Sequence, residues 1–390
     1  MSNVEDILGI QKEEESKPRV KLDLYNFSEG EEYFQKVRSK TLEQGLGVGC
    51  ETLDAHFRYK QGNFVIVHGI DNVGKSSLCW WKLVAQNVFN QIKTVFYCTE
   101  NKERQLIKNL LQYRCGKILH ELTDIQFRSL QGWFEDNFKV IRINEDYNLE
   151  QVLDQVGEVQ YKYGIHNAMI DPYNALSVPK GVNGHDYHLE CCNAIKKHNR
   201  VNNLSTWINC HPNTEAYRNI DRDKDSVFVG HIKPPTKGHI DGGAKFSAKA
   251  DEFLTYHRYT EHGSTWMYTQ IFVRKVKDTE TGGKPTPMNK PVTCKMNANG
   301  CGFSFDPQQT PIGLELIGYS DWVDPMQGYY SYGDVPIEQT EMKIKHKPKI
   351  SIEQIEHNHR SGEVFKQTSN NFELPNPEQG DYNPKGNAPF

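Results

Sequence analysis

Between residues 46 and 307, short apolar runs alternate with amphipathic segments. The apolar runs have the length and the β-branched or aromatic content of buried strands, and the amphipathic segments have the periodicity of helices. This alternation is typical of an α/β domain with a mostly parallel central sheet flanked by helices. We predict strands at Phe64–His68, Thr94–Cys98, Lys139–Ile143, Ala168–Ile170, Ser205–Asn209 and Phe253–His257, and helices at Leu78–Asn90 and Tyr187–Asn199.

The two ends of the chain differ in composition from this central region. Residues 1–45 are charged and contain one helix-like stretch at Glu31–Gln44. Residues 308–390 are dominated by lysine, glutamate, asparagine and proline, with one short helical pattern at Ile352–His359. We therefore predict an N-terminal arm at 1–45, a folded core at 46–307 and a largely irregular C-terminal extension at 308–390, whose last ~20 residues are disordered.

The overall composition is typical of a cytoplasmic protein. The chain has 390 residues, a net charge of -4 and a mean hydropathy of -0.71. No stretch approaches the ~18 apolar residues of a membrane-spanning helix, and the acidic N-terminus lacks the pattern of a secretory signal. We predict no membrane partner. The nine cysteines include no CxxC pair, so we predict free thiols rather than a zinc site.

The strongest motif begins where the first predicted strand ends. Residues 69–76 read G-I-D-N-V-G-K-S, which matches the phosphate-loop pattern G-x-x-x-x-G-K-[ST] between a strand and a helix. In this pattern backbone N–H groups surround phosphate oxygens, the lysine neutralises the β- and γ-phosphates, and the last hydroxyl ligates Mg²⁺. An ordinary glycine turn is the alternative, which the flanking elements disfavour. We predict that ATP is bound by Gly69, Asp71, Asn72, Val73, Gly74, Lys75, Ser76 and Ser77.

Two carboxylates at strand ends complete the predicted site. Asp171 ends the apolar run that starts at Asn167, where a second Mg²⁺-organising group is needed beside Ser76. A capping role is the alternative for Asp171. Glu100 follows the strand Thr94–Cys98, a position from which a carboxylate can orient or deprotonate the attacking water. The alternative for Glu100 is a glutamate that begins the next helix.

With these motifs in order, the chain resembles the RecA-like hexameric replicative helicases, in the branch of Twinkle, the phage primase-helicases and the C-terminal domain of DnaB. The resemblance runs from about Gly45 to Asp306. It is carried by the lead-in GLGVGCETLDAHFRYKQGNFVIVHG, by IDPYNAL around Asp171, by WINCHPNTEAYR around His211 and by HIDGGAKFSAKADEFLTYHR.

The resemblance implies a RecA-like P-loop NTPase that forms a ring, usually a hexamer, and translocates 5′ to 3′ on single-stranded DNA by hydrolysing ATP. It implies that Glu100 is the catalytic glutamate and that His211 senses the γ-phosphate. The stretch Glu31–Gln44 would be a linker helix that docks on the next subunit, or else a solvated helix. Residues 1–45 are too few for a primase domain, so a separate primase or a polymerase is an expected partner.

The chain departs from the family at the strand that carries Lys-x-Arg, whose arginine reaches the neighbouring subunit's γ-phosphate. The matching stretch is IFVRKVKDTETGGKP, in which Lys275 aligns with the lysine and Lys277 stands at the arginine position. A lysine lacks the planar, two-pronged geometry of a guanidinium. Three alternatives follow. Either Lys277 acts as a weaker substitute for the family's arginine, or Arg274 takes the place of that arginine, or activation between subunits is reduced.

A long polar segment, Pro212–Gly243, follows His211 and is the main candidate for contact with DNA. A segment of this length inside a compact domain is usually functional or disordered, and a solvated charged loop is the alternative. A weaker second candidate is Val178–Asp186, and the terminal Ala388–Phe390 would dock a partner or be disordered. The predicted DNA-binding residues are Arg218, Lys233, Lys237, Lys245 and Lys249.

The function that these patterns favour is an ATP-dependent replicative DNA helicase without an attached primase, acting in the host cytoplasm if it is encoded by a phage. One alternative is a RecA-like recombinase or strand-annealing ATPase, which shares the fold and the site. The other is an assembly protein whose oligomerisation is governed by a nucleotide.

Overall fold

The computed structural model describes residues 24–179, 181, 184–241, 243–263 and 265–306. The helix expected at Ile352–His359 and the predicted disorder and partner docking of the C-terminal tail lie outside these residues. The chain divides into two compact units between Glu43 and Gln44.

The first unit contains a short helix, α1 (Glu31–Arg38), preceded by a 3₁₀ turn at Phe27–Gly30. Acidic side chains occupy the first turn of α1 and basic ones the last, as the helix dipole favours. The helix ends six residues before the predicted Gln44. Lys40 has a left-handed φ of 56°, and this conformation stops helical hydrogen bonding.

The second unit is built on one nine-stranded sheet, in the order β3-β2-β4-β5-β1-β6-β7-β8-β9. The strands are β1 (Phe64–His68), β2 (Thr94–Cys98), β3 (Phe138–Val140), β4 (Asn167–Asp171), β5 (Ser205–Cys210), β6 (Glu252–His257), β7 (Tyr268–Val276), β8 (Val292–Met296) and β9 (Phe303–Phe305). The helices are α2 (Glu51–Asp54), α3 (Lys75–Asn90), α4 (Glu103–Cys115), α5 (Asp124–Asn137), α6 (Leu149–Tyr163), α7 (Gly184–Asn202), α8 (Thr214–Arg218) and α9 (Ala244–Lys249). The first six strands in spatial order are parallel and the last three are antiparallel, which confirms the predicted fold class.

Most of the predicted strands are confirmed with small changes at their ends. The third is wrong in position, because β3 ends at Val140 rather than at Ile143. At this side of the sheet only the backbone N–H of Ile141 continues the ladder, by donating to the carbonyl of Phe96 at 2.9 Å. Beyond that residue the chain leaves the strand, because it must turn towards α6.

Two hydrophobic layers cover the faces of the sheet. Alternate residues of a strand point to opposite faces, and those of β1 divide accordingly. Val65 and Val67 join the layer that contains Trp81 of α3, whereas Phe64 and Ile66 join the layer formed by α6 and α7. All nine cysteines are buried, and none of them forms a disulfide.

Candidate active site

The phosphate loop joins the buried end of β1 to the first turn of α3. Asn72 and Gly74 have left-handed φ values of 59° and 82°, which bend the loop back over the helix N-terminus. The loop is seated against β6, because a Cβ on Gly69 would lie 2.2 Å from the carbonyl oxygen of Tyr256. Backbone N–H groups at a helix N-terminus attract anions, so this geometry suits a phosphate group.

The lysine of the loop curls over it. Lys75 Nζ donates hydrogen bonds to the carbonyl oxygens of Gly69 at 2.7 Å and Ile70 at 2.9 Å. Burial lowers the pKa of Lys75, while the charges of Asp71 and Asp171 act in the opposite direction. The ammonium group therefore lies inside the loop, among carboxylates that favour its charged form.

Asp171 lies at the end of β4 with one carboxylate oxygen engaged and one not. Its Oδ1 accepts a hydrogen bond from Asn209 Nδ2 at 2.9 Å. Its Oδ2 is buried and has no hydrogen-bond partner among the described residues. Burial raises the pKa of Asp171, and hydrogen bonds from Asn209 and Ser76 oppose that rise. An unpartnered buried carboxylate oxygen beside a serine hydroxyl is a suitable ligand set for Mg²⁺.

Glu100 and His211 meet directly. His211 Nε2 donates to Glu100 Oε1 at 3.1 Å, and its Nδ1 lies 3.9 Å from Asp71 Oδ1 in the phosphate loop. The backbone N–H of His211 donates to Asn174 Oδ1 at 2.7 Å. The Glu100 side chain keeps 52% of its surface exposed, so its carboxylate remains accessible to water.

Strand order explains this convergence. Strands β2, β4, β5 and β1 are adjacent and parallel, so their carboxyl ends share one edge of the sheet. In register, Cys98 pairs with Asp171, and His68 pairs with Cys210. The structure thus brings together the predicted phosphate loop, Glu100, Asp171 and His211.

Two site residues escaped the sequence analysis. His68 accepts a hydrogen bond from Thr255 Oγ1 at 3.2 Å and donates through Nε2 to the carbonyl of Thr236 at 3.0 Å. Burial lowers the pKa of His68 to about 3, so the ring is neutral. Arg258 Nη2 donates to the carbonyl oxygen of Val73 at 3.4 Å, which places a guanidinium against the phosphate loop. Both residues lie within the segments that carry the resemblance, but their contacts, of His68 with Thr255 and Thr236 and of Arg258 with Val73, form only in the folded chain.

The predicted DNA segment folds back on itself and is tied to the phosphate loop. Isolated bridges pair Pro212 with Ile240 and Ile220 with Ile232. Tyr217 of α8 donates a hydrogen bond to Asp71 Oδ2 at 3.0 Å, which links this segment to the phosphate loop.

The five predicted DNA-binding residues do not form one group. Arg218 is exposed and pairs with Glu215, whereas Lys233 is half-buried and pairs with Asp221. Lys237 is exposed on a 3₁₀ turn. Lys249 lies apart from them in the cavity that holds Lys275 and Lys277, and the side chain of Lys245 lies outside the described residues.

The three candidates for action on a neighbouring nucleotide also separate. Lys275 and Lys277 line the same cavity. Arg274 is instead tied to the carbonyl oxygen of Pro235 at 3.0 Å and stacks over Phe272, 4.3 Å from the ring centroid. Burial lowers the pKa of Arg274 to about 10. Its guanidinium is thus not beside the two lysines.

Comparison with known proteins gives one sequence relative and two solved structures with a similar fold. No protein-family model matches the chain. It is 25% identical over 273 residues to the Twinkle homolog protein, chloroplastic/mitochondrial, of Arabidopsis thaliana, a match that covers 66% of this chain and 36% of that protein. Thus the chain spans only about a third of that relative. No helix in the described ranges is long and apolar enough to cross a membrane.

Two solved structures share the fold. One is described as an ATPase domain; it superposes with a TM-score of 0.57 at 14% identity, over 72% of this chain and 99% of that one. The other, a DnaB-like replicative helicase described together with its interactions with primase, gives a TM-score of 0.56 at 14% identity, over 72% of this chain and 67% of that one. The chain is thus similar in sequence to a Twinkle homolog, and it shares the fold of the solved ATPase domain and of the DnaB-like helicase.

Proposed function

We propose that the chain hydrolyses ATP to translocate on single-stranded DNA as a replicative helicase, in a ring of copies whose expected number is six. The observation that carries the proposal is the position of His211, which contacts Glu100 and lies near Asp71 of the phosphate loop. Its own backbone begins the segment that carries Arg218, Lys233 and Lys237. One side chain thus lies between the expected site of hydrolysis and the expected DNA contacts.

The chain's own side chains have distinct roles in this proposal. Lys75 exchanges its two carbonyl partners for the β- and γ-phosphates, because a charge-assisted bond to phosphate is the stronger one. Glu100 Oε1 orients the attacking water and accepts its proton. Ser76 and Asp171 would hold a Mg²⁺ ion, which would supply positive charge to the phosphates.

Coupling to DNA follows from the contacts of His211. Loss of the γ-phosphate changes the charge that faces Asp71 and His211, and both are tied to the DNA segment. Asp71 is tied through Tyr217. Asn174 holds the backbone of His211 and also donates to Asp241 Oδ2 at 2.9 Å, at the end of that segment. Phosphates on the strand would be bound without reading of bases.

Further parts of the proposal rest on the resemblance to the family. They are 5′ to 3′ movement, docking of α1 on a neighbouring copy, and action in the cytoplasm. A separate primase or a polymerase would be the partner, and the solved DnaB-like helicase supports the primase, since it was described with that interaction.

The decisive experiment is unwinding of a forked DNA duplex with ATP and Mg²⁺. We compare the wild type with Lys75→Ala and, as a matched control, with Lys162→Ala on the exposed end of α6. Strand separation by the wild type and the control, but not by Lys75→Ala, supports the helicase. Hydrolysis stimulated by DNA without unwinding, together with strand exchange or annealing, would favour the recombinase. Hydrolysis that ignores DNA would favour the assembly protein, which the lysine at position 277 also fits.

A further inference from the structure

A strongly basic cavity lies between α7, α9 and the end of β7. Its volume is about 470 Å³. Six basic side chains and one carboxylate line it, and the backbone of α9 closes one side. The charged lining residues are Lys196, Lys197, Arg200, Lys249, Asp251, Lys275 and Lys277.

This cavity lies at the edge of the sheet opposite to the phosphate loop. The backbone N–H of Lys277 donates to the carbonyl of Asp251 at 2.9 Å, and that of Asp251 donates to the carbonyl of Phe64 at 2.9 Å, at the start of β1. From Phe64 to Gly69 the strand spans about 17 Å, for five residues of about 3.3 Å each. The cavity is therefore too far from the phosphate loop to bind the phosphates of a nucleotide held by its own chain.

The lysines that align with the family's motif are already engaged. Lys275 Nζ donates to the carbonyl oxygens of Ser247 at 3.3 Å, Ala248 at 2.7 Å and Ala250 at 2.6 Å. Lys277 Nζ lies 3.2 Å from Asp251 Oδ1. Each ammonium group must give up these partners before it can bind a ligand.

Asp251 organises the cavity. Its Oδ1 also accepts from Lys196 Nζ at 2.7 Å, and its Oδ2 accepts from the backbone of Phe64 at 3.1 Å. Although burial alone would raise the pKa of Asp251, its bonds with Lys196, Phe64 and Lys277 hold it below the ordinary value. One carboxylate cannot balance six cations, and an anionic ligand would relieve their mutual repulsion.

Arg200 differs from the other lining residues. It is the one arginine among them, it is exposed on the last turns of α7, and it makes no hydrogen bond or ion pair within the part of the chain that the structure describes. Arg274, by contrast, is fixed on Pro235 and Phe272.

We propose that Arg200 supplies the guanidinium that position 277 lacks, by binding the triphosphate of a nucleotide held in the phosphate loop of a second copy. The proposal rests on the proposed function, and it places the arginine on a helix rather than on the strand. The planar fork of arginine binds two phosphate oxygens at once. A small, solvent-open cavity with an excess of positive charge suits a compact, multiply charged triphosphate that a second copy presents to it.

The first test uses mixed oligomers. Arg200→Ala is expected to lower ATP hydrolysis at least tenfold, as loss of a trans-acting arginine does, and Arg200→Lys to restore little, because a lysine lacks the fork. A Lys75→Ala copy cannot hydrolyse ATP in its own phosphate loop, but it still carries an intact Arg200. In a 1:1 mixture, some Arg200→Ala copies face the intact Arg200 of a Lys75→Ala copy, so activity should recover towards about a quarter of the wild type for random assembly.

The control is Arg128→Ala, which removes an exposed helical arginine of α5 and should leave hydrolysis unchanged. Arg200→Ala with wild-type activity would overturn the proposal. So would a mixture no more active than its two components, because Arg200 would then act within its own chain.

A second measurement does not depend on hydrolysis. Tripolyphosphate is added to Lys75→Ala, and melting temperatures are compared with those of the double variant Lys75→Ala/Arg200→Ala. A stabilisation of about 2–4 °C that the double variant loses supports the cavity as the binding site. Equal stabilisation of both variants refutes it. If the wild type hydrolyses no ATP but the two variants still differ in stabilisation, the proposed function is refuted and the phosphate site in the cavity is retained.

Discussion

Lys82 in the core of the molecule should destabilise the fold at neutral pH. It lies on α3, two turns after Lys75, and is only 2% exposed. Its Nζ has no hydrogen-bond partner among the described residues and lies 3.1 Å from the centroid of the Phe57 ring. Burial lowers the pKa of Lys82 to about 7, although the charge of Glu252 opposes this. We predict that Lys82→Met, which keeps the length of the side chain, stabilises the protein.

The magnitude follows from the change in pKa. A fall from 10.5 to about 7 corresponds to about 5 kcal/mol below pH 7, at 1.36 kcal/mol per unit; relaxation of the site and loss of the cation–π contact reduce the expected gain to about 1–4 kcal/mol. Between pH 7 and 10.5 the unfolded wild type binds the extra proton, so its stability rises with pH in this window. Lys82→Met lacks that rise, and its advantage should shrink as the pH increases.

Urea unfolding at pH 6, 7.5, 9 and 10 measures both effects. Lys162→Met, on the surface of α6, controls for the loss of a positive charge. Lys82→Ala should be less favourable than Lys82→Met, because it leaves a cavity. A Lys82→Met protein less stable than the wild type, or one whose advantage does not change with pH, would refute the reasoning.

Three further predictions concern other buried positions of the sheet and of the site. Burial raises the pKa of Glu252 to about 8, so its protonation stabilises the fold at low pH and this contribution is lost as the pH rises from 4.5 to 8; unfolding curves of Glu252→Gln should lack that loss. Gly69→Ala should abolish ATP binding in a titration and cost about 1–3 kcal/mol by overpacking against Tyr256, whereas Gly132→Ala, with no atom within 4 Å of its Cβ, should not. Asp171→Asn should abolish hydrolysis yet melt no lower than the wild type, since it removes a negative charge that burial disfavours; a marked fall in melting temperature would argue against that account.

The sequence predicted the centre of the fold better than its periphery. Strands β1 and β2 are almost entirely apolar and buried on both faces, and a short apolar run of this kind predicts a buried strand. Strands β8 and β9 escaped prediction because they lie among glycine, asparagine and proline, and β9 has only three residues. Their burial comes from tertiary packing, as in the contact of Phe305 with Trp81 at 5.2 Å between centroids, which no local pattern encodes.

The same distinction holds for the candidate site. The phosphate loop has a fixed spacing, and Asp171 ends an apolar strand, so one sequence window is enough to identify each. The roles proposed for these residues and for Glu100 and His211 remain predictions. Lys249 illustrates what spacing cannot supply: it follows the basic segment in sequence, yet it lies in the cavity with Lys196 and Lys277. Arg200 and Arg258 become visible only when distant strands and helices are placed together.

The two outermost strands have a consequence for how copies can associate. Within the described residues, the sheet ends in β3 on one side and β9 on the other, and each has only three residues. A long, flat edge strand presents unpaired backbone groups that invite another chain to add to the sheet, and short edge strands discourage such growth. Copies of this chain are therefore protected from joining into a continuous, fibril-like sheet. In the proposed ring, contacts between copies would therefore form through side chains and loops, which can part and re-form during a cycle of hydrolysis.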